Sequence, residues 1–263
     1  MNVLEKIVEI KRKYLEIKRI QFPITFLEKS RYFNRETYSL YKKISKYSIG
    51  IIAEFKRESP SKRIIKNSNL FVEKIIIGYK KAGVIGVSIL TDFPAFKGKE
   101  QDLIKTRQIV QLPLLYKDII IDEYQVILAK AVGSDIILLI AEILSKKKIR
   151  TLIQTAKSLN LEVIMEVHND NELYKINEET HLIGVNNRDL RYFSVNLERS
   201  LKLSKKLSEK LKISESGISD SYQINFLHKK GFNGFLIGEN FLRSANPGIS
   251  CAHFINKNNV KNC

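Results

Sequence analysis

Apolar positions recur along the chain in short runs rather than long ones. Runs rich in Ile, Val and Leu occupy 49–55, 85–90, 112–116, 135–141, 161–167, 182–185, 211–214 and 234–237. Between them the apolar period lengthens to that of a helix. In 122–132, Tyr124, Ile127, Leu128 and Ala131 fall on one face, and 149–159 and 222–228 repeat the pattern, the last ending before Gly231. Continuous apolar runs bounded by turns predict strands buried on both faces, and alternation with helices predicts βα units on a parallel sheet. Eight units in about 200 residues fit a closed (β/α)8 TIM barrel better than an open sheet. The stretch ahead of the first strand is mainly helical over 3–19, with a loop near Pro23. The expected organisation is an N-terminal helical extension (1–48), a barrel (49–250) and a C-terminal tail (251–263).

The strand ends carry the candidate chemistry. In such barrels the active site lies where the strands stop. Here the runs end in Glu54-Phe55-Lys56, Thr91-Asp92, Lys117-Asp118, Glu166 with His168, Asn186-Asn187-Arg188-Asp189, Ser214-Glu215-Ser216-Gly217 and Gly238-Glu239. Residues two apart on a strand share a face, so Glu54 pairs with Lys56 and Asn186 with Arg188 at one mouth. The turns Ser216-Gly217 and Gly238-Glu239 follow strands seven and eight, where barrels often bind phosphate through backbone N–H groups. Pro60 fixes the turn around Ser59 after strand one, which would hold Lys56 and Ser59 toward an anion. Lys56, Lys117 and Arg188 gathered together would depress the Lys117 pKa.

Composition narrows the partners. The chain has 263 residues, 44% of them apolar, with 45 basic and 28 acidic residues and a net charge of +17. The basic residues are scattered, as in KRK at 11–13 and KKK at 146–148, which reads as separate solvated faces. That pattern argues against nucleic acid as partner and for steering of an anionic small molecule. No GxGxxG or Walker loop follows a strand, which counts against dinucleotide or nucleoside triphosphate sites. Only Cys251 and Cys263 are present, so no disulfide framework is expected, and no apolar run approaches a membrane span. The N-terminus lacks a signal-peptide pattern. A cytoplasmic protein, acting as a monomer without a membrane partner, is the expectation. Another phosphosugar barrel, an isomerase or epimerase, would share the last two turns but would not need lysines on strands one and three.

The ordered blocks IIAEFKRESPSK (51–62), KAGVIGVSILTD (81–92), FKG (96–98), LPLLYKD (112–118), EVH (166–168), IGVNNRDL (183–190), SESGI (214–218) and LIGE (236–239) resemble the indole-3-glycerol-phosphate synthase family of tryptophan biosynthesis. The resemblance runs from about residue 4 to 245. It implies a lyase that closes the indole ring of 1-(2-carboxyphenylamino)-1-deoxy-D-ribulose 5-phosphate, releasing carbon dioxide and water. It implies that Lys117 is the acid at the ketone oxygen and that Lys56 pairs with the substrate carboxylate. Glu54 and Glu166 would carry later proton transfers. Ser59, Phe96, Asn186, Arg188 and Glu215 would bind substrate, and Ser216, Gly217, Gly238 and Glu239 the phosphate. No cofactor or metal is implied; His168 lacks the company of a metal triad and is expected to play a structural or supporting role. Four positions depart from the family pattern: Arg63 for Gly, Lys99 for Ser, Asp92 for Glu, and Ile119 for the Phe that packs the aromatic ring.

Overall fold

Eight parallel strands pair in sequence order and close on themselves: β1 (Gly50–Phe55), β2 (Gly86–Leu90), β3 (Leu114–Lys117), β4 (Ile136–Ile140), β5 (Glu162–Val167), β6 (Leu182–Asn186), β7 (Leu211–Glu215) and β8 (Phe232–Ile237), with β8 against β1. The computed structural model describes residues 3–58, 71–189, 194–207 and 209–257; Ser59 and Arg63 lie outside these. Each predicted strand is present within a few residues. The third begins after Pro113 rather than at 112, because proline brings no N–H to the ladder.

Alternation along the strands builds two cores. Ile51, Ala53 and Phe55 of β1 point outward to Ile76, Tyr79 and the other helix-facing residues. Ile52, Leu115, Ile164, Ile213 and Leu236 point inward and form a separate interior cluster. Two residues further along, the inward position turns polar: Glu54 after Ile52, Lys117 after Leu115, Glu166 after Ile164, Asn186 after Gly184 and Glu215 after Ile213. An apolar plug therefore supports a polar mouth, and the period of two alone aims these side chains at one another.

The N-terminal extension touches both ends of the barrel. Helix Leu40–Lys46 sends Leu40 and Ile44 into the interior cluster. Its start is fixed by Ser39, which accepts from Lys42 N at 3.0 Å, and by Glu162 at the foot of β5, which accepts from Leu40 N and Tyr41 N at 2.9 and 3.0 Å. A carboxylate there suits the positive end of the helix dipole. Helix Val3–Gln21 is held on the barrel wall by the Tyr124 hydroxyl, whose single proton is shared between the carbonyls of Lys18 and Phe22 at 3.0 and 2.8 Å.

Two sequence expectations change here. Lys11 of the KRK run is not solvated; it is buried in the same helix. Residue 250 falls inside helix Pro247–Lys257, so the described part of 251–263 is not a tail. That helix packs on helix Val72–Ala82 and buries Cys251 and Ile255. Apolar spacing in so short a terminal stretch was too sparse to separate a packed helix from a loose end.

Candidate active site

The mouth is a cavity of about 510 Å³ at the carboxyl ends of the strands. Every described residue singled out above for catalysis or binding lines it: Glu54, Lys56, Phe96, Lys117, Glu166, Asn186, Arg188, Glu215, Ser216, Gly217, Gly238 and Glu239. Its floor and one wall are apolar, made by Leu138, Ile140, Leu236 and Ile119. One end is acid–base; the other is built from turns.

At the acid–base end, Lys117 Nζ lies 2.8 Å from Glu215 Oε2 and 3.3 Å from Glu166 Oε2. Lys56 Nζ donates to Glu54 Oε1 at 2.7 Å. Burial alone would lower the Lys117 pKa, but Glu215, Glu166 and Glu54 outweigh it and raise it. This corrects the expected depression. The neighbours that count are three carboxylates, because β1, β5 and β7 each aim a Glu at the ammonium. Burial raises Glu54, yet Lys56 and Lys117 pull it below the usual carboxylate range. Glu166 behaves alike: burial opposes ionisation, while Lys117 and then His168 hold it low. Glu215 differs. Burial, with Glu166 beside it, pushes it up to about 7 against the pull of Lys117. The pair around Lys117 thus splits into an ionised Glu166 and a Glu215 that holds its proton near neutrality.

That split has a measurable sign. Glu215 has a higher pKa folded than its ordinary 4.5, so the folded state binds more protons between those values. Stability contributed by this group is full below about 4.5 and falls as pH rises to about 7, by up to ~3 kcal/mol. Urea unfolding at pH 5 and pH 8 should show this fall in the wild type and a smaller one in Glu215→Gln, where the part due to the raised His168 remains. An equal fall in both would contradict the assignment.

At the other end, Ser216 and Gly217 have φ of 68° and 79°. This places two successive residues in the left-handed region, which a non-Gly residue rarely enters. A Cβ at Gly238 would sit 2.6 Å from Glu54 Oε1, so this glycine also makes room for the acid–base end. The Glu239 carboxylate is paired with Arg188 at 3.3 Å and with Arg243. Asn186 Oδ1 accepts from the Arg188 N–H at 2.9 Å, fixing the turn after β6.

Sequence reading missed three supporting residues, Lys11, Arg243 and Gly184. Lys11 Nζ pairs with Asp92 and, at 2.6 Å, with Asp118, joining the N-terminal helix to the ends of β2 and β3. Asp92 also accepts from Ala95 N at 2.8 Å. Arg243 lines the cavity beside the turn end. Gly184 leaves the space that the Glu215 carboxylate fills. For Gly184 a signal was present, since an inward position one step below a polar ring must be small where a neighbouring strand leans over it. Lys11 gave none.

Beside the mouth, His168 gathers Glu142, Glu166 and Glu172. Its Nδ1 and the oxygens of Glu142 and Glu172 lie within 4.8 Å of one another. Glu172 already accepts from His168 N at 2.8 Å and Asn169 Nδ2 at 2.5 Å.

A closed (β/α)8 barrel with lysines and glutamates converging over an apolar floor defines a barrel enzyme that works by acid–base chemistry. Residues 4–253 match the family model described as indole-3-glycerol phosphate synthase. Proteins of that name are 40% identical in Bacteroides thetaiotaomicron, over 94% of this chain and 93% of the relative. In Bacillus cereus the figure is 41%, over 93% and 94%, and in Carboxydothermus hydrogenoformans 35%, over 93% and 96%. The chain belongs to the indole-3-glycerol phosphate synthase family.

Proposed function

We propose that the mouth binds 1-(2-carboxyphenylamino)-1-deoxy-D-ribulose 5-phosphate with its phosphate toward the Ser216–Gly217 and Gly238–Glu239 turns and its aryl carboxylate toward Lys56. The product is indole-3-glycerol phosphate, with carbon dioxide and water. The observation that carries this reading is the Lys117 ammonium held 2.8 and 3.3 Å from two carboxylates over an apolar floor, with Lys56 in the same cavity.

The aryl carbon bearing the carboxylate attacks the C2 ketone, and Lys117 gives a proton to the ketone oxygen as the carbon–carbon bond forms. An alkoxide is far more basic than an amine, so an ammonium with a raised pKa still transfers its proton, and its charge stabilises the oxygen before transfer. Carbon dioxide then leaves with its bonding electrons returned to the ring. Water departs from C2 with a proton from Lys56, while Glu54 and Glu166 take up and return the remaining protons. Asn186 and Arg188 orient the hydroxyls, and Phe96 and Ile119 flank the ring. Every step is redox-neutral, so the balance requires no cofactor.

A monomer is the proposed acting unit, and the phosphorylated substrate suits a cytoplasmic location. Among the described residues no helix is long and apolar enough to cross a membrane. Mixing the purified protein with this substrate should produce indole fluorescence; folded protein that yields none contradicts the proposal. Ile119→Phe should leave turnover unchanged or faster, because it adds ring-packing surface beside Leu138 and Ile140. A clear fall in kcat would mean that the wall is shaped around Ile.

A further inference from the structure

Glu166 and Glu215 both face Lys117, at 3.3 and 2.8 Å, and both are buried. Distance to the shared lysine would make Glu215, the nearer, the one more readily ionised. The difference between them lies behind Glu166. His168, itself only 3% exposed, places Nε2 3.3 Å from Glu166 Oε1, on the side away from Lys117. Its other nitrogen, Nδ1, stands 3.5 Å from Glu172 Oε2 and 3.8 Å from Glu142 Oε2. Both edges of the ring therefore face carboxylates, and a neutral imidazole would turn a lone pair toward one of them. Among the described residues no such histidine stands behind Glu215.

We propose that His168 is a positioning residue: as an imidazolium bridging Glu166 to Glu172 and Glu142, it fixes Glu166 as the ionised member of the Glu166–Glu215 pair. The inference rests on the reading that this pair moves protons in the ring closure. Glu172 is itself locked by the His168 and Asn169 N–H groups, so the anchor behind the imidazole is rigid. Beyond it lies a cavity of about 220 Å³. The charges facing it are paired among themselves, Arg199 with Asp189 at 2.7 Å and Lys202 with Asp170 at 3.5 Å. They leave the three glutamates as the dominant field on the ring. Burial would lower the His168 pKa, but Glu166 and Glu172 reverse this and raise it to about 10.

The protonation state can be read without turnover. The chain has four histidines, and long-range nitrogen–proton spectra of nitrogen-15-labelled protein separate their imidazoles, with His168→Gln assigning the one of interest. Both His168 nitrogens should stay protonated at pH 8, and Glu172→Gln should lower the midpoint by about one pH unit or more. A His168 that is neutral at pH 7.5, or a midpoint unmoved in Glu172→Gln, overturns the proposal. In folded His168→Gln the acidic limb of kcat/KM should move up by about one unit, because Glu166 loses a neighbouring cation. An unmoved limb overturns it too. If the wild type makes no indole product, the spectra still decide the imidazole's state, so the two readings fail separately.

Discussion

Lys117→Ala is expected to abolish formation of the indole product, a loss of at least ~10²–10⁴-fold, the range for a removed acid–base group. The side chain is the cation that three strands address: Glu54 from β1, Glu166 from β5 and Glu215 from β7. No described neighbour takes its place, since Lys56, 2.7 Å from Glu54, is assigned to the aryl carboxylate and the later loss of water. Removing a buried charge from an ion cluster ordinarily unbalances the fold. Here Glu215, pushed up to about 7, can keep a proton and absorb the lost charge. The variant should therefore retain its far-ultraviolet circular dichroism near pH 6 while its turnover vanishes, and should lose stability as the pH rises. Full activity in Lys117→Ala would remove the acid from the mechanism.

Lys11→Ala should destabilise the protein by ~3–5 kcal/mol, because it leaves two buried carboxylates without their counter-ion. Asp92 and Asp118 are almost fully enclosed, and burial with their mutual repulsion already raises Asp92. For a chain of this size that is a fall in Tm of ~6–20 °C. Lys11→Ala combined with Asp92→Asn and Asp118→Asn should recover much of the loss, since neutral amides need no counter-ion. Calorimetry of the single and triple variants checks both. A single variant as stable as the wild type would mean that the N-terminal helix does not depend on this cluster.

The barrel could be read from the chain because its two periods are local. Two decides which of Ile52, Ala53 and Glu54 face inward, and 3.6 lays Tyr124, Ile127 and Leu128 on one face. The mouth followed from the same rule, since Glu54, Lys117, Glu166, Asn186 and Glu215 each stand two residues beyond an inward position of the plug. What escaped depends on partners distant in sequence. Lys11 resembles any lysine of a charged helix, and its bond to Asp118 spans 107 positions. The rise in the Lys117 pKa was hidden for a related reason. Strand ends reveal which charges meet, but only the barrel's stagger sets which lie nearest. Leu40 and Ile44, which close the far end of the barrel, were an unremarked helical turn until the strands they plug were in place.

A crystal structure with an unreactive, reduced form of the substrate tests the central claim most directly. The phosphate should lie against the turns at Ser216–Gly217 and Gly238–Glu239, the aryl carboxylate beside Lys56, and the C2 oxygen within hydrogen-bonding distance of Lys117 Nζ. A ligand bound the other way round, with its phosphate on Lys56 and Lys117, would contradict it.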